Sequence, residues 1–329
     1  MIRKVLLLCI LISSFGFSQK ETSVLFIGNS FTFYNKMPFL FKDISKSLGH
    51  DVIVDTVIKG GKDLNFHSSR EYTYNTIKAR KWDFVVIQAA SNEFAQPDKI
   101  IEKSTLPYAQ QLVDSIRAND PCTNIIFYMT WGYKNGNPGW KPVSCYDSMQ
   151  IRIENQYLKI ADKFSGSLSP VGAVWREVRT NFPDIELYNP DNRHPSLEGS
   201  YLSAATFFTS IFGESPENCN VAVEIDSKTK INIEKEVSKL VLSNSIKWKC
   251  AANKHKLDPG FDLKLMDNQL ELTNHSKLAH STEWDFGDGS VSNDHSPKHI
   301  YTKKGEFTIT QKIMNKCKMD TIQKTVIVK

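Results

Sequence analysis

This chain has no long hydrophobic run beyond its first residues, no surplus of one charge and few cysteines, and each shortage removes a class of protein. Its longest apolar run, 5–12, falls well short of the roughly 20 residues a membrane-spanning helix needs. The 41 Lys and Arg residues nearly balance the 36 Asp and Glu, leaving a net charge of +5 without a basic stripe, which argues against nucleic acid as partner. Six cysteines in 329 residues, none paired with histidine at zinc-ligand spacing, give no ground for a structural metal. What remains is a globular composition, 40% hydrophobic and 23% charged. The length exceeds what one core serves, so a main domain of about 200 residues with an appendage is expected.

The run 5–12 is preceded by Arg3 and Lys4 and followed by the small residues Gly16 and Ser18. That order predicts an export signal over 1–18, a mature chain starting near Gln19 without an integral membrane segment, and a secreted or periplasmic location. Cys9 would leave with the signal. The five remaining cysteines, Cys122, Cys145, Cys219, Cys250 and Cys317, can form at most two disulfides. Cys122 with Cys145 is a candidate bridge closing the loop 131–140, although sequence alone leaves the pairing open.

From residue 23 to about 213, short apolar runs alternate with amphipathic stretches, the pattern of a parallel sheet flanked by helices. Strands are expected at 24–27, 52–58, 84–88, 125–129 and 168–171. Helices are expected at 37–48, 73–79, 106–117, 148–163, 174–181 and 197–212. The result is a three-layer α/β sandwich with a five-stranded parallel sheet, extended by a helix at 233–242 to give a domain over 19–243. A polar connection over 244–255 follows, and beyond it the period changes to two, as in Phe261, Leu263 and Leu265. A small all-β sandwich over 256–329 closes the chain.

Functional groups in such sheets gather at the carboxyl ends of strands. Gly28-Asn29-Ser30 follows the first strand directly. Alone, Ser30 reads as a helix cap; as a nucleophile it needs a base to take its proton. Asp191-Asn192-Arg193-His194, ahead of the domain's last helix, supplies one, because a carboxylate three residues before a histidine can hold one ring nitrogen and leave the other for the serine. An oxyanion also needs donors. Gly60-Gly61 after the second strand and Asn92 after the third provide them, together with the N–H of Ser30.

The order of these elements resembles the SGNH (GDSL-type) hydrolase superfamily over about 22–213. Gly28-Asn29-Ser30 stands for its Gly-Asp-Ser block, Gly60-Gly61 for its glycine block, Ala90-Ser91-Asn92-Glu93 for Gly-x-Asn-Asp, and Asp191 to His194 for Asp-x-x-His. Asn29 and Ala90 depart from the usual aspartate and glycine. The resemblance implies a flavodoxin-like fold with Ser30 as nucleophile and first oxyanion donor, Gly61 and Asn92 as further donors, His194 as base and Asp191 as its orienter, without a metal or cofactor. Ile27 to Thr32, with Tyr128-Met129-Thr130-Trp131-Gly132, is similar to a subgroup found in polysaccharide-degrading bacteria, which points to O-acetylated carbohydrate as substrate.

Trp131, Trp140, Tyr133 and His67 fall in loops expected beside the cleft, where an aromatic could stack on a sugar ring, and Arg193 could bind a substrate carboxylate or simply lock its loop. Trp284-Asp285-Phe286-Gly287-Asp288-Gly289-Ser290, with Tyr301, Gly305 and Phe307, resembles PKD domains, which are immunoglobulin-like sandwiches. Two carboxylates there are too few for calcium. The expectation is a carbohydrate O-acetylesterase. Its alternatives are a lipid or thioester hydrolase of the same fold and a non-catalytic glycan-binding or adhesion protein. Oligomeric state is left open.

Overall fold

The computed structural model describes residues 21–90, 92–253 and 257–329, so the expected signal segment lies outside the described residues. Five parallel strands, β1 (Thr22–Gly28), β2 (Val52–Ile58), β3 (Phe84–Ile87), β4 (Asn124–Tyr128) and β5 (Ser167–Ser169), form one sheet in the order β2-β1-β3-β4-β5. β1, β3 and β4 are covered on both faces and read as nearly unbroken apolar runs, as buried parallel strands must. Because β2 and β3 lie on either side of β1, the strand order reverses beside β1. That switch point is where crevices form in open α/β sheets.

The crossovers are helical. α1 (Ser30–Phe33) and α2 (Met37–Ser47) lead from β1 to β2, and α3 (Leu64–Ser68) and α4 (Glu71–Lys78) from β2 to β3. α5 (Asp98–Ser104) and α6 (Leu106–Asn119) precede β4, α7 (Tyr146–Lys163) precedes β5, and α8 (Val171–Asn181) and α9 (Leu197–Phe212) follow it. α9 is buried almost throughout, from Gly199 to Ile211, which its apolar and small residues permit. α10 (Ser227–Ser243) packs on α8 and α9 through Ile233, Val237 and Val241. The polar connection expected after it is instead packed down: Trp248, Cys250 and Ala251 belong to the main core. One large indole is enough to pin a segment that otherwise reads as linker.

The remainder forms two antiparallel sheets. β6 (Phe261–Met266), β7 (Gln269–Asn274) and β10 (Lys298–Ile300) make one, in the order β10-β7-β6. β8 (Ser281–Asp285), β9 (Val291–Ser292), β11 (Gly305–Met314) and β12 (Met319–Val328) make the other, in the order β12-β11-β8-β9. They enclose a second core around Trp284, Phe286, Tyr301 and Ile309. The turn after β8 needs Gly287 and Gly289, both at positive φ (83° and 94°), and Asp285 and Asp288 accept from the N–H groups of Gly287 and Ser290.

The disulfide joins Cys122 to Cys317, not to Cys145. Cys122 lies just before β4, at the amino edge of the sheet, whereas Cys145 precedes α7 beyond the carboxyl edge. The five residues of β4 put roughly 16 Å between those edges, far more than a disulfide spans. Cys145 is an exposed thiol, and Cys219 and Cys250 are buried ones.

Candidate active site

Ser30 is the first residue of α1, directly beyond the end of β1. The capping task that Ser30 could have performed falls to Asn29, whose side-chain oxygen accepts from the N–H of Phe31 at 3.1 Å. This leaves the Ser30 hydroxyl for other chemistry. The Asn29 amide nitrogen donates to the Lys62 carbonyl at 2.9 Å, which ties the turn after β1 to the loop after β2. Asparagine thus does at this position what needs both an acceptor and a donor.

Under this turn lies a residue that no sequence motif marks. Gln88, buried just past β3, presents its Oε1 to the N–H of Asn29 at 2.8 Å and to the Thr32 hydroxyl at 3.0 Å, and its amide nitrogen donates to the Ala89 carbonyl. A Cβ at Gly28 would come within 2.6 Å of that same Oε1, so glycine is required for the turn to sit on Gln88. The only signal in the sequence was a polar residue ending an apolar run.

His194 reaches Ser30 from the loop before α9. Its Nε2 lies 2.8 Å from Ser30 Oγ, and its Nδ1 pairs with the Asp191 carboxylate. The other Asp191 oxygen accepts from the N–H groups of Arg193 and His194 at 3.0 and 2.9 Å. Partial burial works to raise the Asp191 pKa, but the hydrogen bonds from the His194 ring, the His194 N–H and the Arg193 N–H hold it below the ordinary carboxylate value. Asp191 is therefore an anion at neutral pH, and its pairing assigns the proton to Nδ1 and the lone pair to Nε2. The loop is held rigidly: Asn192 takes a positive φ of 59°, Lys134 N–H donates to its carbonyl at 3.0 Å, and Asn189 N–H donates to the His194 carbonyl at 2.8 Å.

Two residues expected to touch substrate do not. Trp131 is fully buried, stacked between Phe31 and Trp175 at centroid distances of 4.8 and 3.9 Å, and its indole N–H donates to the Arg193 carbonyl at 3.0 Å. It is a pillar between α1 and the loop that carries His194, so no sugar can reach its face. His67 is also buried, on α3, and burial pushes its pKa below the usual histidine value against the pull of the Gly28 carbonyl and Asp63. An expected loop position suggested exposure for both, but the loop of Trp131 folds back onto the core and His67 sits on the inner face of α3. Arg193 is exposed, its guanidinium 4.9 Å above the Tyr133 ring.

Gly61, at φ 68°, and Asn92 line one cleft of about 510 Å³ between the loops after β2 and β3, with Lys62, Asn65, Ser69 and Glu93 beside them. Glu93 holds the second loop: it accepts from the N–H of Ala90 and from the Thr105 hydroxyl. Burial pushes its carboxyl up to about 7 despite those hydrogen bonds. Phe33, on the same short helix as Ser30 and one turn further on, has 60% of its surface open to solvent. Among the described residues no cluster of His, Cys, Asp and Glu could hold a metal ion.

The chain is similar to several known structures. A DUF4886 family protein from Bacteroides uniformis ATCC 8492 is 23% identical, with a TM-score of 0.59 over 68% of this chain and 95% of that one. A Slackia heliotrinireducens protein named as an SGNH hydrolase is 27% identical over 57% of this chain and 97% of its own, with a TM-score of 0.46. The family model described as "PKD domain" matches residues 267–329. The PKD1 domain of the Vibrio cholerae metalloprotease PrtV is 30% identical over 22% of this chain and 95% of its own, with a TM-score of 0.21. The main domain shares the fold of the Bacteroides uniformis DUF4886 family protein. The chain continues from it into a PKD domain.

Proposed function

We propose that this protein is a serine ester hydrolase that removes O-acetyl groups from carbohydrate. The observation that carries the reading is the unbroken chain of contacts from the Ser30 hydroxyl through His194 Nε2 and Nδ1 to the Asp191 carboxylate. His194 takes the Ser30 proton as Oγ attacks the ester carbonyl, and the N–H groups of Ser30 and Gly61 with the Asn92 amide receive the oxyanion. The imidazolium gives its proton to the departing sugar oxygen. Water, deprotonated by the same imidazole, then releases acetate from Ser30.

The cleft beside the Gly61 and Asn92 donors, which Ser30 and His194 do not themselves line, supports a polyhydroxyl leaving group over a lipid tail, because Lys62, Asp63, Asn65, Ser69, Asn92 and Glu93 outnumber the apolar Phe66 and Ala90 in its wall. Phe33 takes the role first expected of Trp131, an aromatic face beside the nucleophile on which a pyranose can stack. A disulfide fits an oxidising compartment and hence export. Among the described residues no helix is long and apolar enough to cross a membrane. The PKD domain serves as a spacer or docking module.

Acetate release from a panel of acetylated polysaccharides and oligosaccharides tests the reading, with Ser30→Ala as control. The expected result is release from at least one glycan, abolished by Ser30→Ala, and slower turnover of longer acyl esters. Faster turnover of long-chain esters would point to a lipid hydrolase instead, and release unaffected by Ser30→Ala would remove the nucleophile. Glycan binding without any hydrolysis would point to the adhesion alternative.

A further inference from the structure

A histidine on a loop, fixed only through Nδ1, can still swing about that hydrogen bond, and a base that swings loses alignment with its serine. In this chain the segment that carries the nucleophile also grips the base. After α1 the backbone takes two successive positive φ angles, 52° at Asn35 and 54° at Lys36, and asparagine is the residue type that tolerates this at least cost after glycine. The turn lays the Tyr34 ring against the His194 imidazole, with centroids 4.5 Å apart and planes 14° from parallel, while Phe31 meets the same imidazole edge-on at 5.4 Å. The Asn35 amide nitrogen reaches the other way. It lies 2.9 Å from both the Ser196 carbonyl and Ser200 Oγ, and 3.4 Å from the Pro195 carbonyl. An amide has two hydrogens, so the two short contacts occupy it fully. Ser200 Oγ in turn donates to the Tyr34 carbonyl at 3.3 Å.

We propose that Tyr34 and Asn35 are positioning residues for the general base. Asn35 sets the spacing between the nucleophile segment and the residues directly after His194. Tyr34 holds the plane of the imidazole and, through its π face, favours the imidazolium that forms as Ser30 loses its proton. Because the neutral ring gains less from that face than the cation does, the contact strengthens towards the transition state, which is the kind that raises kcat. The proposal rests on the assignment of Ser30 and His194 above.

The test is steady-state hydrolysis of p-nitrophenyl acetate together with the rate at which a fluorophosphonate probe modifies Ser30, in variants whose thermal midpoints are also measured. Tyr34→Leu, and Tyr34→Met as a longer, unbranched second choice, remove the π face; Tyr34→Phe keeps it; Asn35→Gly keeps the backbone conformation and deletes the amide. We expect kcat and the phosphonylation rate to fall about tenfold in the Leu, Met and Gly variants, with KM within about twofold and Tyr34→Phe at the wild-type rate. Wild-type phosphonylation in Tyr34→Leu and Tyr34→Met, or a Tyr34→Phe as slow as they are, would overturn the role of the ring. Ser30→Ala separates the two levels of argument: hydrolysis that survives it removes the underlying site assignment, whereas hydrolysis lost in Ser30→Ala but intact in the Tyr34 and Asn35 variants removes only this proposal.

Discussion

Asn29 and Gln88 show how much of this site depends on residues that perform no chemistry. Asn29 caps α1 and anchors the turn to Lys62, and Gln88 supports it from β3, so the Ser30 hydroxyl is free of structural duty. Replacing Ser30 by Ala should lower ester turnover by roughly 10³-fold or more without changing the thermal midpoint, measured with any ester the enzyme accepts. Gln88→Leu should behave differently. It strands the Asn29 N–H and the Thr32 hydroxyl, so stability should fall by about 1–3 kcal/mol in urea titration and kcat by about tenfold as the turn loosens. The contact of Ser30 with His194 and of His194 with Asp191 was legible in the sequence, because a serine just past a strand end and an Asp-x-x-His spacing before the last helix each have a chemical meaning. Gln88, Tyr34 and Asn35 were not, because their partners across the site are 56 to 166 residues away and no local pattern announces such a contact. Trp131 and His67 were misplaced for the complementary reason: loop position says where the chain runs and not which way a side chain turns.

Among the elements, the five strands and the long helices lie within a few residues of where periodicity puts them. α3 and α5 went unseen, since helices of five and seven residues complete too few turns to display a 3.6 period. Both carry consequences for the site, because α3 walls the cleft and the turn before α5 holds Glu93. The Glu93 carboxyl, raised to about 7 from 4.5, keeps its proton in the folded protein after the unfolded chain has lost it. Its contribution to stability is therefore full below about pH 4.5 and is lost as the pH climbs to about 7. Thermal midpoints recorded across that range should decline in the wild type, and Glu93→Gln should remove that part of the decline. A second element-level prediction concerns the start of α9. A Cβ at Gly199 would meet the Leu187 carbonyl at 2.4 Å and the Trp175 ring at 2.5 Å. Gly199→Ala should accordingly push α9 away from the strand of chain that leads to His194, lowering the thermal midpoint and kcat together.

At the scale of the whole molecule, the parallel-sheet domain and the sandwich were both readable from the change of period after residue 256, and the Trp284 to Ser290 string marked the second of them. The disulfide was not, because five cysteines permit several pairings and only the fold shows which two lie 5.3 Å apart at their Cα atoms. Its 195-residue separation closes a loop across both domains, for which the chain-entropy argument gives an upper bound of about 5 kcal/mol. Calorimetry of a Cys122→Ser/Cys317→Ser variant should show a lower midpoint and two separable transitions. Its turnover of small esters should be unchanged, since Cys122 stands at the amino edge of the sheet and Ser30 at the carboxyl edge. The central claim, that Ser30 is the nucleophile activated by His194, is tested most directly on the intact protein by mass spectrometry after exposure to a fluorophosphonate. A single adduct per chain is expected, one that maps to Ser30, is absent in Ser30→Ala and forms far more slowly in His194→Ala. An adduct on another residue, or one that forms equally fast without His194, would contradict that claim.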